Sequence, residues 1–257
     1  MSNSVQPASI RVRFGQVQSL VKKNEALCEA VVALDDGSLG RAIGYVALTG
    51  PLKVGDRVAL NTTAVDLGLG TGGVHFVMAV VHQELEAKSE GHIMKLRYTP
   101  SQLKVLAVDE EKSPHRGILE HIPDLLNIPV LVGGLHSQLP IAAGYVKAQW
   151  PNKRVAYVMT DGAALPAAFS HLVEKLKGNG LIDVVITAGH AFGGDLEAVT
   201  APSALAAAKE VARADLVIVT MGPGVVGTGT PLGTTALEQG PLLDTADAMG
   251  GRAIAMV

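Results

Sequence analysis

The chain has 257 residues, 48% hydrophobic and 18% charged, which is apolar material for one large domain or two smaller ones. A net charge of −3 without a basic stripe argues against a general nucleic-acid or membrane-surface binder, and 4% aromatic content argues against stacking platforms for single strands. One cysteine, Cys28, forms no internal disulfide; with no signal-peptide pattern and no apolar stretch near the ~20 residues of a membrane span, the expectation is a cytoplasmic protein in which Cys28 is a small buried hydrophobe.

From Ile10 to about Asp109 the pattern is β. IRVRFGQVQSL, EALCEAVVAL and VHFVMAVVH alternate, LKVGDRVALN reads as a turn feeding a strand, and HIMKLRY and LKVLAVD continue the theme. Turn signals at Asp35-Asp36-Gly37-Ser38, Gly50-Pro51, Gly55-Asp56 and Gly68 to Gly73 separate them. Residues 1–112 are therefore expected to form a small antiparallel β-domain, a barrel or sandwich. Residues 113–128, charged and Pro-containing, read as a linker with a short helix around Arg116 to Leu126.

From Pro129 the strands IPVLVGG, RVAYVMT, LIDVVITAG, ADLVIVTM and RAIAMV alternate with helices predicted at Leu139 to Trp150, Leu165 to Lys177, Pro202 to Arg213 and Thr234 to Met249. Val/Ile-rich runs joined by helical crossovers predict a Rossmann-like, doubly wound α/β fold with a mainly parallel sheet over 129–257. The last strand has no following helix, so it is expected to lie against something else or to belong to a fragment whose C-terminal part is missing.

In such sheets ligands bind outside the carboxyl ends of the strands. Four loops are predicted there: Gly133 to Pro140, Thr160 to Pro166, Ala188 to Val199 and Thr220 to Gly233, all rich in Gly, Ser, Thr, His or Asp. The last contains Gly222-Pro-Gly224-Val-Val-Gly227, a literal G-x-G-x-x-G after a strand. Gly229 and Pro231 oppose the helix start that a dinucleotide site needs, and no Lys follows Gly229 as a P-loop requires. Two readings stay open: a broader anion nest using Gly222, Gly224, Gly227, Thr228, Gly229 and Thr230 with Thr234, or a glycine-shaped packing loop.

His136, Asp161, His190 and Asp195 are the candidate acid–base residues, with Ser137 and Glu197 in the same loops. Imidazole and carboxylate suit Zn, Mn or Fe, but no H-x-x-x-H or H-E-x-x-H spacing specifies a metal, and Ser137 lacks the G-x-S-x-G context of a nucleophile. Asp161, Asp195 and Ser203 could instead cap the following helices, for Asp195 on even terms with a functional role, and His136 could simply hydrogen-bond a loop carbonyl. In the β-domain, Asn61 to Phe76 supplies Asp66, Thr71 and His75 on a long glycine loop that could reach the strand-end loops. Lys95 and Arg97 share one face of a strand, either as an anion clamp or as an exposed barrel face.

NTTAVDLGLGTGG, GHIMKLRYTP, VGGLHSQLP, AYVMTDGAALP, AFGGDLEAV and MGPGVVGTGTPLG together resemble an uncharacterised bacterial family, the domain of unknown function 3866. The resemblance runs from about Asn61 to Gly233, extends loosely to the barrel start, and implies a chain continuing past Val257. It implies no reaction and assigns no catalytic residues. The residues themselves favour an enzyme that binds a small anionic metabolite for acyl or phosphoryl transfer or hydrolysis; the alternative is a non-catalytic ligand-binding or scaffold subunit. No cofactor is specified, no nucleic acid or membrane is expected as a partner, and homo-oligomerisation is left open.

Overall fold

The computed structural model describes residues 9–69, 72–87, 89–121 and 124–257, in two compact units, Met1–Glu86 and Ala87–Val257. In the first, β1 (Val12–Lys23), β2 (Leu27–Leu34), β3 (Leu39–Tyr45), β4 (Arg57–Asn61) and β5 (Val74–Val80) close into a barrel in the order β1-β2-β3-β5-β4. Short helices α1 (Val46–Thr49) and α2 (Thr63–Asp66) join β3 to β4 and β4 to β5. Four pairs are antiparallel and β3–β5 is parallel. A closed ring with an odd number of strands cannot alternate direction throughout, so the expected antiparallel barrel carries one parallel seam. β1 reaches both β2 and β4 because register shifts at Val17/Ser19 and Leu20/Lys22 bend it around the barrel. Cys28 is fully buried there with Val32, Val58 and Leu60.

The second unit begins with a two-stranded hairpin, β6 (Ile93–Lys95) and β7 (Leu103–Val105). Its alternation matches the barrel strands, yet it belongs to the α/β unit. Lys95 is buried against Thr187, Ala191 and Glu197, and Val108 N–H donates to the Glu197 carbonyl at 2.8 Å. The helix expected over Arg116 to Leu126 is one turn, α3 (Arg116–Leu119); residues 122 and 123 lie outside the described ones.

The remaining elements are β8 (Pro129–Gly133), α4 (Leu139–Gln149), β9 (Val155–Thr160), α5 (His171–Gly178), β10 (Val184–Thr187), β11 (Leu196–Glu197), α6 (Ala201–Glu210), β12 (Leu216–Met221), α7 (Gln239–Ala248) and β13 (Arg252–Met256). The sheet is parallel throughout, in the order β11-β10-β9-β12-β8-β13. Connections from β8 to β9 and β9 to β10 run toward one sheet edge; those from β11 to β12 and β12 to β13 run back. Right-handed crossovers then require helices on opposite faces. Accordingly α4 and α5 share one core cluster with Val155, Tyr157 and Met159, whereas α6 and α7 share the other with Ala156 and Val158, the alternate residues of β9. Burial on both faces is why these strands read as continuous apolar runs. Caps set the helix starts: Ser170 accepts from Val173 N–H for α5 and Thr200 from Ser203 N–H for α6. No helix among the described residues is long and apolar enough to cross a membrane.

Candidate functional site

Because every strand of the sheet points the same way, the segments after β8, β9, β10 and β12 all leave from one edge. The segments after β8 and β9 lead to helices on one face, and the segment after β12, which lies between them, leads to the other. In sheets of this class such divergence sets a crevice at the carboxyl ends of neighbouring strands. Glycines let the segments at this edge approach one another closely. A Cβ on Gly222 would collide with the Ala164 carbonyl oxygen, and one on Gly162 would stand 2.6 Å from Glu238 Oε2.

A single 3-10 turn, Thr235–Glu238, crosses this edge just before α7. Gly134 leaves room for Ala236, and Thr160 Oγ1 donates to Glu238 Oε1 at 2.6 Å. Gln239 then donates Nε2 to the carbonyls of Val132 and Met256 at 2.8 and 2.9 Å, seating the start of α7 on β8 and β13. Glu238 is half-buried. Loss of water raises its carboxyl above the ordinary value; the Thr160 bond opposes this and the charge of Asp161 adds to it.

Asp161 follows Thr160 and accepts the backbone N–H of His190 at 2.8 Å, tying the end of β9 to the loop after β10. Gly189, at φ 66°, permits this twice over: its backbone is left-handed, and a Cβ would overlap Asp161 Oδ2. His190 Nδ1 in turn accepts Leu96 N–H at 2.9 Å. Asp161 and His190 are thus brought together, with Glu238 beside them. Asp161 caps no helix.

His136 is buried below this edge. The Met221 carbonyl, 3.2 Å from Nδ1, can only accept, so Nδ1 carries the proton and Nε2 accepts the Ser170 hydroxyl at 2.7 Å. Burial lowers its pKa, opposed by the bond to Met221. This neutral imidazole joins the ends of β8 and β12 to the cap of α5. Ser137, next to it, is exposed.

Asp195 is not at this edge. The chain after β10 must return to the strand-start side before β11 can run parallel to it, so Asp195 lies opposite Val185, accepting its N–H at 2.9 Å and pairing with Lys177 at the end of α5. The expectation that it shares a strand-end loop with His190, or caps a helix, is corrected by this return; Thr200 makes the cap. The set His136, Asp161, His190 and Asp195 is therefore not assembled, and no group of three or more His, Cys, Asp or Glu among the described residues is arranged to hold a metal ion.

The stretch Gly222 to Gly233 is an arch. Gly227 bridges Thr234, Thr235 N–H donates to Val226 O, and Thr228 and Gly233 close the tip through Thr228 N–H to Gly233 O and Gly233 N–H to Thr230 O. Thr228 and Thr230 share a hydroxyl bond at 2.9 Å. Gly224 and Gly229 are left-handed, at φ 103° and 77°. No helix begins at Gly227, as Gly229 and Pro231 foretell. In the barrel unit Asp66 is held by Arg11 at 3.1 Å and by the Thr62 hydroxyl at 3.0 Å. Thr71 lies outside the described residues.

Lys95 and Arg97 do not share a face, because Leu96 sits at φ 50° and breaks the alternation. Lys95 turns inward to three acceptors: Glu197 Oε2 at 2.6 Å and the carbonyls of Ala191 and Thr187 at 2.5 and 3.1 Å. Glu197 also accepts from Thr187 Oγ1 and Gly193 N–H, both at 2.7 Å, so its role is to hold this buried ion pair.

Sequence reasoning missed Thr160, Ser170 and Glu238. Thr235-Ala-Leu-Glu238 matches the S/T-x-x-E pattern of a helix start, a signal that would have drawn attention to Glu238 only as a cap. The fold and the crevice define a Rossmann-like α/β unit that follows a small closed barrel. Over residues 41–257 the chain matches the family described as "Protein of unknown function (DUF3866)", and it belongs to that family. No curated protein and no solved structure matches it.

Proposed function

We propose that the α/β unit is a small-molecule enzyme, binding an anionic metabolite at the carboxyl edge of its sheet and transferring or hydrolysing an acyl or phosphoryl group, with Glu238 as the proton-transferring residue. The Thr160–Glu238 hydrogen bond carries this reading. It fixes Oε1 and leaves Oε2 over Gly162, where no side chain intervenes. A carboxyl held above its ordinary pKa by burial, at the mouth of a parallel sheet, is suited to hold and exchange a proton. Asp161 and His190 border the same space and would orient the reacting group. The free, buried Cys28 fits a cytoplasmic setting.

Turnover of p-nitrophenyl acetate and p-nitrophenyl phosphate by the full chain tests both chemistries. Glu238→Gln should lower the rate on the accepted class by about 10²-fold or more, and Thr160→Val by about tenfold. Unchanged turnover in Glu238→Gln sinks the assignment. Binding of small anions by the native chain with no turnover of either class would favour the non-catalytic alternative.

A further inference from the structure

Beside the carboxylates of the crevice, His190 faces a cation that the proposed chemistry has not used, Arg97. His190 Nδ1 accepts the N–H of Leu96, so that nitrogen carries no proton, and the neutral ring bears its proton on Nε2. Nε2 lies 3.3 Å from Arg97 Nη2, and a guanidinium nitrogen only donates. Two donors therefore face one another and neither satisfies the other. Charging the ring does not relieve this, because a proton on Nδ1 would meet the Leu96 N–H. The pair lacks an acceptor that both donors can reach.

Arg97 is held ready for one. Its Nη1 donates to the Met94 carbonyl at 3.3 Å, and among the described residues no carboxylate is paired with it. The turn presenting it is constrained. Leu96 and Tyr98, on either side, both occupy the left-handed region, at φ 50° and 61°, which L side chains adopt at a cost. Thr99 fixes the turn by donating both its hydroxyl and its N–H to the Leu96 carbonyl, at 2.8 and 3.3 Å, and the buried Lys95 anchors the preceding residue. Asp161 spends Oδ2 on the His190 backbone rather than on Arg97.

We propose that Arg97 and His190 form an oxyanion subsite that takes a carboxylate or phosphate group of the substrate. This deepens the proposed function, on which it rests for its place in a substrate site, and it moves anion binding from the Gly222–Gly229 arch to the loop after β10. A planar guanidinium and an imidazole N–H would each give one hydrogen bond to the same anionic group.

Titration of the full chain with inorganic phosphate and, separately, with succinate tests this, read by the side-chain nitrogen signals of Arg97 and His190 in NMR. Saturable shifts of both signals are expected with one anion, and which anion saturates first separates phosphate from carboxylate. Arg97→Met, at an exposed position, should weaken that anion at least about tenfold, with Arg97→Lys intermediate because an ammonium lacks the fork. No saturation by either anion up to tens of millimolar, undiminished binding by Arg97→Met, or a free protein with the His190 proton on Nδ1 would each overturn the subsite. Anion binding that depends on Arg97 in a chain whose turnover ignores Glu238→Gln would retain the subsite and discard the acid–base assignment.

Discussion

Half-buried Glu238 carries a stability cost that depends on pH. Burial raises its carboxyl pKa above the ordinary 4.5, so the folded state holds a proton that the unfolded chain releases at lower pH. The associated stability is present below about pH 4.5 and is lost as pH rises through the raised folded value. Glu238→Gln cannot ionise and keeps an oxygen for the Thr160 hydroxyl. Its Tm should exceed that of the native chain at pH 8, and the gap should close toward pH 4.5; a native chain more stable than the variant at pH 8 would refute the buried, raised carboxyl. Residue-level chemistry was the least legible from sequence. Asp161 and His190 stood out because they follow strands directly. Glu238 stands five residues beyond the arch, and only tertiary folding lays it across Thr160. Asp195 looked equivalent to His190 in a glycine-rich loop, and nothing in AFGGD reveals that five residues suffice to carry the chain back across the sheet edge.

Elements were more legible where periodicity was long and less so where a single charge decided placement. β8, β9, β10 and β12 emerged from their apolar runs, and α4 and α6 lie within a few residues of expectation. The β6–β7 hairpin is the instructive exception. HIMKLRY alternates like a barrel strand, but Lys95 is an ammonium with no exposed surface, and only the acceptors at the end of β10 make that tolerable. Burial pulls its pKa down, and the charge of Glu197 is the largest opposing influence. Removing one partner leaves a buried charge alone, so Lys95→Met should cost about 3–5 kcal/mol in urea unfolding. Lys95→Met with Glu197→Gln should cost markedly less than the two single changes added together. Additive losses would mean that the hairpin is held by its apolar contacts and that the ion pair is incidental.

At the scale of the whole molecule, the sequence showed a change of period between an all-β and an α/β region, and it showed parallel strands with helices on both faces. The boundary was harder, because a hairpin's alternation does not say which core it joins. Each unit buries one neutral histidine. In the barrel His75 has a buried Nδ1 without a partner, and burial lowers its pKa, with Asp66 opposing and Arg13 adding to the effect. In the α/β unit burial lowers that of His136. Both folded values lie below the ordinary 6.5, so the unfolded chain binds more protons in that window. The stability both contribute is present above pH 6.5 and is lost as pH falls through the folded values. In a Glu238→Gln background, which removes the opposing carboxyl, Tm should therefore fall as pH drops below 6.5. Trp150, the sole tryptophan, sits at the end of α4 and reports the α/β unit by fluorescence. His136→Gln should lower that transition at pH 7.5, because the bonds to Ser170 and Met221 are weakened, yet flatten its fall toward pH 5.5. His75→Phe should leave the slope of the Trp150 transition unchanged and flatten only the remainder seen by circular dichroism. If His75→Phe alone removes the acid dependence of the Trp150 signal, the histidines do not act unit by unit, and the acid response belongs to the molecule as one cooperative body.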